Sequence, residues 1–132
     1  MAESAVRATN SDIGVLICDD APAMRSLLHA VIARREGVSV VGEAADGNEA
    51  IAQAALLQPD VILLDLSMPD RTGLEALPEI NRVAPGAKVI LLSGFAASII
   101  EDDVPRNGVA GYLQKGIEPE EILAAIESAV TA

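Results

Sequence analysis

Five residues have the types needed to hold a cation and a phosphoryl group between them: Asp19, Asp20, Asp65, Ser93 and Lys115. The acidic pair closes the apolar run Ile13-Gly14-Val15-Leu16-Ile17-Cys18, and Asp65 closes Val61-Ile62-Leu63-Leu64. Ser93 closes the run Lys88 to Leu92, and Lys115 comes two residues after the run Val109 to Leu113. Three carboxylates in one place repel one another, so either some hold protons or a cation sits among them. Carboxylate oxygens plus water suit Mg2+, which prefers octahedral oxygen ligands. No cluster of His or Cys accompanies them to suggest zinc. A lysine opposite the cation, with a hydroxyl between, completes a phosphoryl-binding set. A carboxylate between cation and lysine can act as a nucleophile and give an aspartyl phosphate. Central position assigns that role to Asp65. Taken singly, Asp65 reads as a solvated boundary acid, Lys115 as a surface lysine and Ser93 as a turn residue. The functional reading therefore rests on elements that bring the five together.

Those elements follow from periodicity. The apolar runs show no polar alternation, which marks strands buried on both faces. After the first, Pro22 suits the opening turn of a helix, Met24, Leu27, Leu28, Val31 and Ile32 recur at helical spacing, and Gly37 is its stop. Val38 to Val41 reads as a short strand. Asp46 and Glu49 have the spacing of a capping pair for a helix over Gly47 to Leu57. Leu74 to Val83 reads as a third helix, in which Pro78 marks either a kink or a late start. Ala97 to Val104 reads as a weaker helix rich in acid. Pro119 opens a last helix whose Ile122, Ala125, Ile126, Ala129 and Val130 form one stripe. Strand then helix, five times over, predicts a doubly wound α/β domain with a five-stranded parallel sheet. The C-terminal ends of such strands share one edge, where ligands bind at the reversal of strand order. Right-handed crossovers place the first and third strands side by side there, which gathers the three carboxylates.

Composition bounds the rest. The 132 residues suit one domain, read as 12–132 behind a frayed tail over 1–11. Half the residues are apolar, with one Phe, one Tyr and no Trp, so the core is built from Ala, Val, Ile and Leu. A net charge of −11 repels phosphate backbones and anionic bilayers, which argues against nucleic-acid contact and membrane binding by this chain. No apolar run approaches the roughly 18 residues of a membrane span, and no secretory signal is visible. The single Cys18 cannot form an internal disulfide and fits a reducing cytosol, so a cytoplasmic location is expected.

The constellation resembles the receiver domain of two-component response regulators. The resemblance is carried by Asp19-Asp20, by Asp65 followed by Met68-Pro69 and Gly73-Leu74, by Ser93, and by Tyr112 three residues before Lys115. It runs from Ile13 to about Val130. It implies the flavodoxin-like (βα)5 fold with strand order 2-1-3-4-5. By the same resemblance, Asp65 accepts a phosphoryl group from a phosphohistidine on a sensor histidine kinase. Asp20 and Asp65 ligate Mg2+ directly with the backbone carbonyl of Ser67, and Asp19 acts mainly through water on the metal. Lys115 pairs with the phosphoryl oxygens, and Ser93 swings to hydrogen-bond them. Tyr112 then turns inward and alters the surface formed by the fourth helix, fifth strand and fifth helix. The implied function is signal reception without turnover of an external substrate, controlling an output domain or partner in transcription regulation. A homodimer is compatible with this.

Lys115-Gly116 resembles the subfamily joined to helix-turn-helix output domains, which leans the reading towards part of a longer DNA-binding regulator over a free-standing receiver. Four positions depart from the common family pattern: Gly116 stands where proline is frequent, Gly94 where alanine is, Thr72 where aspartate is, and Pro78 is unusual. Ser67 and Phe95 occupy positions that tune phosphoryl lifetime in the family.

Other readings stay open at this stage. A receiver-like interaction domain that never meets phosphate would look the same. An aspartate-nucleophile phosphatase would want a second acid two residues after Asp65, where Ser67 stands. A flavin or nucleotide carrier lacks its Gly-rich loop and its aromatics. His29 reads as a partly exposed helical residue, and Glu101-Asp102-Asp103 as a solvated helix face.

Overall fold

Unbroken apolar strands need cover on both faces, and the computed structural model, which describes residues 12–94 and 109–131, supplies it. In chain order the elements are β1 (Ile13–Cys18), α1 (Pro22–Ile32), β2 (Val38–Ala44), α2 (Gly47–Leu57), β3 (Val61–Asp65), α3 (Gly73–Val83), β4 (Lys88–Ser93), β5 (Val109–Gln114) and α4 (Pro119–Thr131). The strands form one parallel sheet in the order β2-β1-β3-β4-β5, as expected. The predicted tail over 1–11, the predicted helix over 97–104, and Phe95 lie outside the described residues.

Alternation of side chains across the sheet sorts the core into two layers. Leu16, Ile62, Leu64 and Leu91 face Ala50 and Ala54 of α2 and Ala76, Leu77 and Ile80 of α3. Val15, Ile17, Val61, Leu63 and Ile90 face Leu28, Val31 and Ile32 of α1 and Ile122, Leu123 and Ile126 of α4. Every residue of β3 is buried, as a central strand requires. Each such Leu or Ile contributes roughly 2 kcal/mol by leaving water. The edge strands β2 and β5 are only partly buried.

Several boundaries differ from expectation, each for a local reason. β2 continues past Val41 to Ala44, because a register shift between Val15 and Leu16 lets Gly42, Glu43 and Ala44 pair with Leu16, Ile17 and Cys18. α1 stops at Ile32, short of Gly37. Its last turn tightens into three-residue bonds, Arg34 N–H to Val31 C=O and Arg35 N–H to Ile32 C=O. Gly37 (φ +87°) then turns the chain into β2. Pro78 sits inside α3, which starts at Gly73 and not late. A reciprocal capping box between Thr72 and Glu75 fixes that start. In α2, Asp46 accepts from the Glu49 N–H as expected, while the Glu49 carboxylate reaches back one residue further, to the Ala45 N–H.

Two glycines fix how the loops meet the sheet edge. A Cβ on Gly73 would lie 2.1 Å from the carbonyl oxygen of Asp65, and the Gly73 N–H donates to the Leu66 carbonyl at 3.2 Å. A Cβ on Gly47 would lie 2.3 Å from the Arg71 carbonyl oxygen, which the Gly47 N–H also meets, at 3.0 Å. The start of α3 is therefore packed directly against the end of β3, at backbone distance. Gly73→Ala should destabilise the protein by about 2 kcal/mol, because neither backbone can give way cheaply. Gly86→Ala, where no atom lies within 4 Å, should change stability by less than about 0.5 kcal/mol. Urea unfolding of the two variants checks the contrast.

Candidate functional site

Parallel pairing does not stop at the strand ends; single backbone bonds carry it one residue further around the rim. The Asp19 N–H donates to Ala44 C=O, Leu66 N–H to Leu92 C=O, and Lys115 N–H to Ser93 C=O. Each residue that follows a strand is thus held to the strand beside it. Asp19, Asp65, Ser93 and Lys115 are gathered at one edge by this means.

The side chains converge as the topology requires. Lys115 Nζ lies 2.9 Å from Asp19 Oδ2 and 3.1 Å from Asp65 Oδ2. Carboxylate oxygens of Asp19, Asp20 and Asp65 lie within 4.8 Å of one another. Asp19 and Asp65 are buried, and Asp20 is exposed. The other oxygens are used locally: Asp19 Oδ1 accepts from the Ala21 N–H at 2.9 Å, and Asp65 Oδ1 from the Ser67 N–H at 3.1 Å. Asp20, Asp65, Leu66, Ser67, Ser93, Gly94 and Lys115 line an open pocket of about 590 Å³. Ser93 is buried at its wall. Tyr112 sits on β5 in register with Leu91, half-buried beside the layer under α2 and α3. Gly116 adopts φ +95°, a conformation that favours glycine directly after Lys115.

Burial disfavours the charged form of Asp65 and raises its pKa; the Ser67 N–H pulls it down, the Asp19 charge pushes it up, and Lys115 pulls it down again. The net direction is up. Burial alone would lower Lys115, but bonding to Asp19 and Asp65 and the attraction of their charges outweigh it, and its pKa is raised. The rim is thus short of positive charge. Asp19 Oδ2 and Asp65 Oδ2 are buried without a well-aligned hydrogen bond, each meeting only the Lys115 ammonium among the described residues. A set of carboxylate oxygens, one of them exposed and two of them under-satisfied, fits a hard divalent cation such as Mg2+.

Sequence reasoning missed two residues beside the site, Arg25 and Glu43. Arg25 donates from its guanidinium to the Asp19 carbonyl at 2.7 Å and to Glu43 Oε1 at 2.9 Å. His29, read as a partly exposed helical residue, is exposed and places Nε2 2.9 Å from Glu43 Oε2. A signal for Arg25 was present: an arginine in the first turns of a helix opposes the helix dipole unless a local acceptor holds it, and α1 carries no acid in its first turn.

Comparison with known proteins agrees with this geometry. The model of the response regulator receiver domain family matches residues 15–127. The nitrate/nitrite response regulator protein NarL of Escherichia coli is 37% identical over 118 residues, covering 87% of this chain and 53% of NarL. The chain thus spans about half the length of that relative. The chemotaxis protein CheY of Thermotoga maritima is 33% identical over 112 residues, covering 85% of this chain and 92% of CheY. The crystal structure of a LuxR-family two-component response regulator from an Aurantimonas species superposes with a TM-score of 0.84 at 30% identity, covering 92% of this chain and 86% of that one.

Two measurements on the metal-free protein test the electrostatics. Asp65 has a folded-state pKa above its unfolded value, so its ionisation weakens the fold: the cost is absent below the unfolded pKa and complete once pH exceeds the folded one. Asp65→Asn should therefore raise the urea midpoint at neutral pH, and the advantage should vanish as pH falls below the ordinary carboxylate range. Lys115→Met leaves two buried carboxylates unpaired and should cost about 2 kcal/mol, less than the roughly 3–5 kcal/mol of a fully buried broken pair because the pocket is open to water. Added Mg2+ should restore more stability to this variant than to the wild type, read as the shift in thermal midpoint.

Proposed function

The chain belongs to the response regulator receiver domain family, and on that premise we propose that Asp65 is its phospho-acceptor. The observation that carries the assignment is the Lys115 ammonium shared between Asp65 and Asp19, with Asp20 at the mouth of the same pocket. Asp65 is the one carboxylate of the three that is both buried and part of the pocket lining.

The donor in this reading is a phosphohistidine on a sensor histidine kinase. An Asp65 carboxylate oxygen attacks phosphorus; a P–O bond forms as the P–N bond breaks, and the imidazole leaves with the electron pair and takes a proton from water. Asp20, Asp65 and the Ser67 carbonyl would hold Mg2+, with Asp19 acting through water; when bound, the ion supplies positive charge beside the phosphoryl oxygens. Lys115 exchanges its contact with Asp65 Oδ2 for one with a phosphoryl oxygen. Ser93, at the pocket wall, donates its hydroxyl to another. The new group adds charge and acceptors at the sheet edge, and Ser93 and Tyr112 relay it to the surface around β5 and α4 by a shift of population between two packings.

The receiver unit in this reading spans 12–132 and works in the cytoplasm as a non-enzymatic switch. It controls a DNA-binding output or a partner in transcription regulation, with dimerisation as one route. Net charge supports the exclusion of direct nucleic-acid contact. Among the described residues, no helix is long and apolar enough to cross a membrane.

Incubation with Mg2+ and a small phosphodonor such as acetyl phosphate, followed by intact-mass measurement, tests the assignment. Wild type should gain one phosphoryl group, and Asp65→Asn none. Lys115→Met should lose at least about 100-fold in rate, the scale for removing one preorganised electrostatic contact. An adduct that survives Asp65→Asn unchanged overturns the assignment. Steady hydrolysis of unrelated phosphate esters would point to a phosphatase instead.

A further inference from the structure

Nothing in the proposed chemistry uses Arg25, yet it is tied to the rim more firmly than any surface arginine needs to be. Its Nη1 donates to the Asp19 carbonyl at 2.7 Å, and its Nε to Glu43 Oε1 at 2.9 Å. Glu43 lies on β2, two residues before the chain leaves the sheet, and shares its second oxygen with His29. The Arg25 side chain is 21% exposed, the Glu43 side chain 38%. An isolated surface ion pair of that exposure contributes little to stability. The position of the carbonyl gives the contact its meaning. Asp19 C=O belongs to the peptide that joins Asp19 to Asp20, so its orientation sets the direction in which Asp20 leaves the backbone. The Asp19 N–H is already held by Ala44 C=O and its carboxylate by the Ala21 N–H and Lys115. Arg25 supplies the remaining restraint. Among the described residues nothing holds the Asp20 carboxylate directly, so the peptide is the handle by which it can be aimed.

We propose that Arg25, anchored by Glu43, is a positioning residue that fixes the Asp19–Asp20 peptide so that Asp20 is presented to the cation. This rests on the reading of Asp20 as a ligand given above. Partners that orient ligands in this way are worth 10- to 100-fold in metal affinity elsewhere. The sign is diagnostic. As a bare positive charge near the rim, Arg25 would repel a divalent cation, and its removal would tighten binding. As a positioning residue its removal must weaken binding.

Calorimetric titration of Mg2+ into the metal-free protein separates the two, with the metal-free thermal midpoint measured alongside. Arg25→Met should weaken Mg2+ binding about tenfold while leaving the metal-free midpoint close to wild type. Arg25→Lys, which keeps the charge and can still reach one acceptor, should recover most of the affinity. Unchanged or tighter binding in Arg25→Met overturns the proposal, and so does a loss of affinity that Arg25→Lys fails to reduce. A fall in the metal-free midpoint large enough to account for the lost affinity also overturns it, since that is a structural role. Failure of the wild type to bind Mg2+ at all would instead overturn the ligand reading of the preceding subsection.

Discussion

Two buried carboxylates share one ammonium, and most of this architecture exists to keep them there. Held within 4.8 Å of one another, two unit negative charges repel by roughly 3 kcal/mol at the effective dielectric near a protein surface. Lys115 answers both at once, at 2.9 and 3.1 Å. One positive charge against Asp19, Asp20 and Asp65 leaves the rim negative; burial first, and the Asp19 charge after it, raise the pKa of Asp65, while bonding to the two carboxylates and the attraction of their charges outweigh burial and raise that of Lys115. Such a site is uncomfortable when unliganded. That discomfort is a reason for a divalent cation to bind and for a phosphoryl group to find a cation and a lysine already in place.

The sheet pays for the arrangement in a specific way. Strand β3, buried throughout, and β1, buried from Gly14 on, give the acids a rigid base, and each acid stands where its strand runs out of core. Interstrand bonds beyond the strand ends, to Asp19, Leu66 and Lys115, fix the rim to about the precision of the sheet. The loop after Asp65 is held as tightly, with Gly73 against the Asp65 carbonyl and Gly47 against the Arg71 carbonyl. A charge added to Asp65 therefore acts on a loop with little slack, which touches the starts of both α2 and α3. Ser93 and Lys115 connect the same point to β4 and β5. The site is mechanically linked to three sides of the domain, which is what a switch needs.

Much of this was legible in the residues. The uninterrupted runs Val61 to Leu64 and Ile13 to Cys18 announced buried parallel strands, and polar residues falling only at run ends placed the site on one edge. The adjacency of the first and third strands and the convergence of Asp19, Asp20, Asp65, Ser93 and Lys115 followed from topology, while the full strand order came with the family resemblance. Boundaries were less legible. The extension of β2 to Ala44 depends on a register shift that no local pattern encodes, and the early end of α1 on three-residue bonds that compete closely with helical ones. Thr72 looked like a departure from a family pattern, but in the folded chain it is the cap that starts α3 ahead of Pro78. Arg25 and Glu43 were invisible as a pair because 18 residues separate them; only the folded register of β2 beside α1 brings them together.

The most direct test of the central claim is to locate the phosphoryl group chemically. The chain is phosphorylated with a small donor in Mg2+, reduced with borohydride to convert any aspartyl phosphate to homoserine, and its peptides are sequenced by mass spectrometry. The account predicts homoserine at residue 65 and nowhere else. Modification at Asp19 or Asp20, or phosphate retained on His29, would contradict it.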